Sequence, residues 1–114
     1  MNEFYTKLAG TTFNGRDEII EELYLSGQLD VGQELILQRQ PYNASDRNAI
    51  AVLHPSNNEQ LGWISRQVAQ TMAPMMDTGT IYRAFVSLVT GGNGYNYGIN
   101  IKIQDKGETL WHQA

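Results

Sequence analysis

Cysteine is absent from the sequence, which excludes disulfides, thiolate zinc sites and cysteine nucleophiles. Proline is scarce, at 3 residues against 11 glycines, a balance that favours many tight turns and leans towards β structure. Long apolar runs are also missing, and nothing approaches the roughly 20 residues a membrane-crossing helix needs. The opening Met1-Asn2-Glu3-Phe4 lacks the basic and then apolar stretch of a secretory signal. A cytoplasmic protein without membrane association is therefore expected, and the sequon Asn43-Ala44-Ser45 carries no meaning for glycosylation.

Histidine occurs only at His54 and His112, and neither sits near a serine–acid pattern or a second ligand at metal spacing. His54, at a strand end, reads as an exposed turn residue. Asn43, Asp46 and Asn48 superficially suggest a calcium loop, but lack its length and terminal glutamate. Gly92-Asn93-Gly94 is followed by a strand rather than a helix, so it is not a phosphate loop. No catalytic residue, metal site or cofactor is expected, and a small enzyme is the weakest reading.

What is present fits one small domain spanning 1–114, with a core over 5–103 and a polar tail from 105 to 114. Hydrophobic residues make up 41% and charged residues 18% of the 114 positions, and a chain of this length buries roughly 65% of its unfolded surface. Net charge is −4 and the pI about 5.0, which argues against a non-specific nucleic-acid binder carrying a large basic surface. A small local basic site remains compatible with that balance.

Periodicity gives the elements. Phe4 to Phe13 reads as a first strand, halted by Asn14-Gly15. Arg16 to Leu25 reads as a helix with Ile19, Ile20, Leu23 and Tyr24 on one face, carboxylates in its first turns and a stop at Ser26-Gly27. Strands are expected over 32–40, ended by Pro41, over 48–53, and over 60–64. Ser65 is a candidate N-cap for a second helix from Arg66 to about Met76. Its apolar stripe is Val68, Ala69, Met72, Met75 and Met76, with Pro74 kinking or shortening the last turn. Residues 80–90 alternate Tyr82, Ala84, Val86 and Leu88 against polar neighbours, and 95–104 return as a hairpin through Gly91-Gly92-Asn93-Gly94. The sum is a mainly β, barrel-like sheet of about six strands with two short helices.

The most specific stretch is Arg39 to Val52. Asn43 and Asn48 read as turn scaffolding, and Asp46 with Arg47 as a contact pair, with Arg39 across the loop. Within this stretch, Pro41 through Val52, together with Phe13-Asn14-Gly15-Arg16, Leu61-Gly62-Trp63-Ile64 with Ala69 downstream, and Val89 through Gly98, resembles the HIRAN domain, over about Tyr5 to Ile103. The family comprises modules of fork-remodelling DNA translocases and stand-alone bacterial proteins. The resemblance implies a modified oligonucleotide-binding-type barrel and a non-catalytic module that recognises 3′ ends of single-stranded DNA in DNA repair or stalled-fork processing. It implies that Asp46 accepts a hydrogen bond from a 3′-hydroxyl, that Phe13 stacks on a base, and that Arg66 lies near phosphates. Tyr95 or Tyr97 is implied to add an aromatic from the last hairpin. The implied nucleic-acid site is therefore Phe13, Arg39, Asp46, Arg47, Trp63, Arg66, Tyr95 and Tyr97. Thr11, Thr12, Ser45 and Trp63 depart from the family pattern, where an arginine, two tyrosines and a histidine stand. Those departures and the acidic balance motivate the alternative, a protein-interaction module that kept the barrel and lost the pocket.

Overall fold

The computed structural model describes residues 2–105. Its strands are β1 (Asn2–Lys7), β2 (Glu34–Arg39), β3 (Ile50–Leu53), β4 (Gln60–Trp63), β5 (Tyr82–Gly92) and β6 (Tyr95–Asp105). Two helices interrupt them, α1 (Arg16–Leu25) and α2 (Arg66–Asp77). All strand pairings are antiparallel, in the order β1-β6-β5-β2-β3-β4. The sheet then curls until its ends meet. Ala9, just beyond β1, exchanges two backbone hydrogen bonds with Trp63 of β4, at 2.8 and 2.9 Å. Gly62 makes that meeting possible, because a Cβ there would lie 2.7 Å from the Ala9 carbonyl oxygen. The expected six-stranded, OB-like barrel with two helices is the architecture found.

Its core is apolar and continuous. Ile99, Ile101 and Ile103 of β6 are fully buried, as are Ile20 of α1 and Leu61 of β4. Burial of each such side chain contributes about 1.5–3 kcal/mol. β3 is buried at all four positions, which explains its unbroken apolar run: it lies between β2 and β4 rather than at an edge.

Capping chemistry fixes both helices. Ser65 Oγ accepts from the Val68 N–H at 3.4 Å, as its N-cap role requires. At the end of α1, Gln28 N–H donates to the Leu23 carbonyl and Gly27 N–H to Tyr24, with Gly27 at φ +80°. This is the Schellman arrangement that only a left-handed residue permits without strain.

Several expectations need correction. The first strand stops at Lys7, because Gly10 turns left-handed (φ +69°) and Phe13–Gly15 form a single 3₁₀ turn. Pro74 does not shorten α2, which continues to Asp77. The buried stripe of that helix is Ala69, Met72 and Ala73, while Met75 faces solvent. A register shift between Val86 and Leu88 inserts a bulge that turns Leu88 outward. His54 is buried, not exposed: its Nε2 lies 2.6 Å from the Gln28 carbonyl oxygen and its Nδ1 accepts from the Ser56 N–H at 3.2 Å. Asp105 still belongs to β6; the remainder of the expected tail, with His112, lies outside the described residues. Among the described residues no helix is long and apolar enough to cross a membrane.

Candidate nucleic-acid interface

The site forms where three chain segments converge at the barrel closure. The first is Ala9 to Arg16. The left-handed turn at Gly10 redirects the chain after β1, and the 3₁₀ turn then lifts Phe13 into solvent, where it is 67% exposed. An apolar ring that exposed contributes little to the core, so its placement is open to a functional use.

The second segment is the loop between β2 and β3. Asn43 Oδ1 accepts from the backbone N–H groups of Ser45 and Asp46, at 2.9 and 3.1 Å. Asp46 Oδ1 in turn accepts from the Asn48 N–H at 2.9 Å. Two successive side-chain-capped turns therefore hold this loop. Asn43 supplies turn scaffolding as its type suggests, but Asn48 is held through its backbone, and Asp46 itself is the second scaffold residue.

The third segment is the end of β4 and the start of α2. Arg66 opens the helix, its Nη2 donating to the Ser45 carbonyl at 3.2 Å and its Nε lying 3.7 Å from Asp46 Oδ2. Trp63 is half-buried on the barrel seam.

These segments enclose an open cleft of about 340 Å³. Phe13 and Trp63 give it apolar walls and Asp46 and Arg66 a charged side, and Ala9, Gly10 and Ile64 are among the other lining residues. Four of the eight residues expected at the site are brought together here. The other four are not. Arg39 is engaged elsewhere, with Nε and Nη2 both 3.0 Å from the Asp77 carboxylate oxygens and Nη1 donating to the Ala49 carbonyl. Arg47 is exposed on the same loop but does not line the cleft. Tyr95 stands at the hairpin tip, 79% exposed, and Tyr97 packs against the core with its ring centroid 6.0 Å from that of Tyr24.

Arg16 has a role at the cleft that the sequence pattern does not disclose. Its Nη1 donates to the Gly10 carbonyl at 3.0 Å, and its guanidinium carbon lies 6.0 Å from the Trp63 ring centroid. Gly10 itself admits the indole, since a Cβ there would stand 2.9 Å from Trp63 Cδ1. Arg16 and Gly10 thus fix the ring that forms one wall. The only sequence signal was their position, on either side of the Phe13 turn. Thr11 is buried near Gly62, and neither Thr11 nor Thr12 lines the cleft.

Comparison with known proteins identifies this architecture. The chain belongs to the HIRAN domain family, whose sequence profile matches residues 1–106. It is 41% identical over 81 residues to the Arabidopsis thaliana SWI/SNF-related matrix-associated actin-dependent regulator of chromatin subfamily A member 3-like 1, a match covering 70% of this chain and 9% of that protein. It is 36% identical over 62 residues to mouse helicase-like transcription factor, covering 54% of this chain and 6% of the other. The chain therefore spans less than a tenth of the length of these curated relatives. Among solved structures, the HIRAN domain of human HLTF superposes with a TM-score of 0.60 at 22% identity, over 90% of this chain and 74% of that one. A Lactobacillus plantarum protein superposes with a TM-score of 0.56 at 26% identity, over 90% and 99% of the two chains.

Proposed function

We propose that this HIRAN domain is a non-catalytic module that binds single-stranded DNA at a free 3′ end, the terminal nucleotide occupying the cleft between Phe13 and Trp63. The observation that carries the reading is the pairing of two aromatic walls with one carboxylate and one guanidinium in a cleft of nucleotide size. Aromatic walls accept any base, at about 1–3 kcal/mol per stacked base. A carboxylate accepts a hydrogen bond from a hydroxyl and repels a phosphate, which suits Asp46 to a 3′-hydroxyl. Its Oδ2, 3.7 Å from Arg66, retains acceptor capacity. Arg66 keeps donors for a backbone phosphate beyond its bond to Ser45.

Family membership supports DNA as the ligand class, and so do relatives named as a chromatin regulator and a helicase-like transcription factor. Work at stalled forks or repair intermediates, where 3′ ends arise, is part of the same proposal. One charged cleft in a chain of net charge −4 predicts micromolar or weaker affinity with a shallow salt dependence. A linear oligonucleotide and the same sequence closed into a circle separate end recognition from general strand binding. The linear strand binds and the circle does not; equal binding of both removes the end-recognition reading.

A further inference from the structure

A second surface lies on the outer face of the sheet formed by β1, β6 and β5. The register places Tyr5 opposite Lys102, and Lys102 opposite Phe85. These side chains form one row facing solvent, because the alternate positions Ile101 and Ile103 are buried in the core. Neighbouring strands lie about 4.8 Å apart, so the two rings of the row are spaced by about 10 Å. They border an open concavity of about 540 Å³.

Tyr5 is 68% exposed. Lys102 Nζ lies 5.6 Å from the Phe85 ring centroid, and the Arg83 guanidinium carbon 5.2 Å from it. Arg83 is tied to Glu34 by bonds of 2.9 and 2.7 Å. Lys102, by contrast, is in no ion pair among the described residues. In an acidic chain, this row therefore sets an available cation between two rings. That combination suits a single strand, whose bases stack and whose phosphates need neutralising.

β1 also connects this row to the cleft. Side chains alternate along an extended chain, so Tyr5, Lys7 and Ala9 share one side while Leu8 is buried. Ala9 lines the cleft. The four steps from Tyr5 to Ala9 cover about 13 Å, and OB-type barrels occupy about 4–16 nucleotides, more than a cleft of 340 Å³ holds.

We propose that Tyr5, Lys7 and Lys102 form a track for the strand leaving the cleft, Tyr5 stacking on a base and the two lysines meeting phosphates. The track rests on the reading of the cleft as a strand-binding site. Anisotropy titrations of the full chain with 3′-hydroxyl and 3′-phosphate oligothymidylates of three and ten nucleotides test it. The 3′-hydroxyl ten-mer binds about tenfold tighter than the three-mer, the gain of about one stacked base. Tyr5→Ala removes most of that gain and Tyr5→Phe retains it, while neither changes three-mer affinity. Lys102→Gln lowers the magnitude of the ten-mer salt slope by about 0.7. Equal affinity for both lengths, or a ten-mer gain untouched by Tyr5→Ala and Lys102→Gln, overturns the track. So does a wild-type dimer in sedimentation that Tyr5→Ala splits, since the face then belongs to a second copy. A length gain lost in these variants supports the track even if 3′-hydroxyl and 3′-phosphate strands bind alike, a result that overturns only the end pocket.

Discussion

The Asp46 carboxylate and the Arg66 guanidinium approach only to 3.7 Å, whereas Arg39 closes on Asp77 at 3.0 Å and Arg83 on Glu34 at 2.7 Å. The Arg66 side chain is 68% exposed, and an exposed pair at that separation contributes about 0–1 kcal/mol. Stability is therefore not what this pair supplies. Asp46 divides its two oxygens, one fixing the loop through Asn48 and the other facing the cleft.

That division predicts different outcomes for two substitutions of one residue. Asp46→Asn keeps an acceptor for the Asn48 N–H and removes the charge. It should leave the melting temperature nearly unchanged while lowering discrimination between 3′-hydroxyl and 3′-phosphate strands. Asp46→Ala loses both, and costs a further 1 kcal/mol or about that in denaturant titration, the worth of a capping hydrogen bond.

Phe13→Ala removes an exposed ring, so its effects on stability and binding separate as well. Unfolding by urea should move by less than about 0.5 kcal/mol. Affinity for a short single strand should fall by about 1–3 kcal/mol, the worth of a stacked base, in an anisotropy titration.

Arg39→Met should do the reverse. Its guanidinium bridges β2 to the end of α2 through Asp77 and also holds the Ala49 carbonyl, with only 16% of the side chain exposed. Loss of these charge-assisted bonds should destabilise the fold by about 1.5–3 kcal/mol. The affinity of the molecules that remain folded should hold within twofold of wild type.

His54→Phe tests the buried histidine. The Gln28 carbonyl loses its 2.6 Å partner and the Ser56 N–H its acceptor. Gln28 and Ser56 are exposed, so water can replace the lost partner, and the cost is the net worth of two hydrogen bonds, about 0.5–1.5 kcal/mol each. The urea midpoint should drop with no change in the slope.

Much of the fold was legible because its signals are local. The alternation over 95–104 and the apolar run of β3 report burial directly, and Ser65 and Gly27 end or begin helices through bonds to neighbours three to five residues away. The site was legible only in part, for a physical reason. Phe13, Asp46, Trp63 and Arg66 were reachable through the family pattern, whereas the fate of Arg39 depends on Asp77, 38 residues on. Period-two patterning likewise carries no mark of the bulge that turns Leu88 outward. His54 looked like a turn residue because the carbonyl that buries it belongs to Gln28, 26 positions earlier. Arg16 acts on Trp63 through the barrel seam, a contact that exists only once Ala9 and Trp63 have met.

The most direct measurement is the affinity of wild type and Asp46→Ala for one single-stranded oligonucleotide ending in a 3′-hydroxyl or in a 3′-phosphate. Wild type should prefer the hydroxyl end by about tenfold, the worth of one charge-assisted hydrogen bond, and Asp46→Ala should lose that preference. Equal affinity of wild type for both ends, unchanged by Asp46→Ala, would contradict the account.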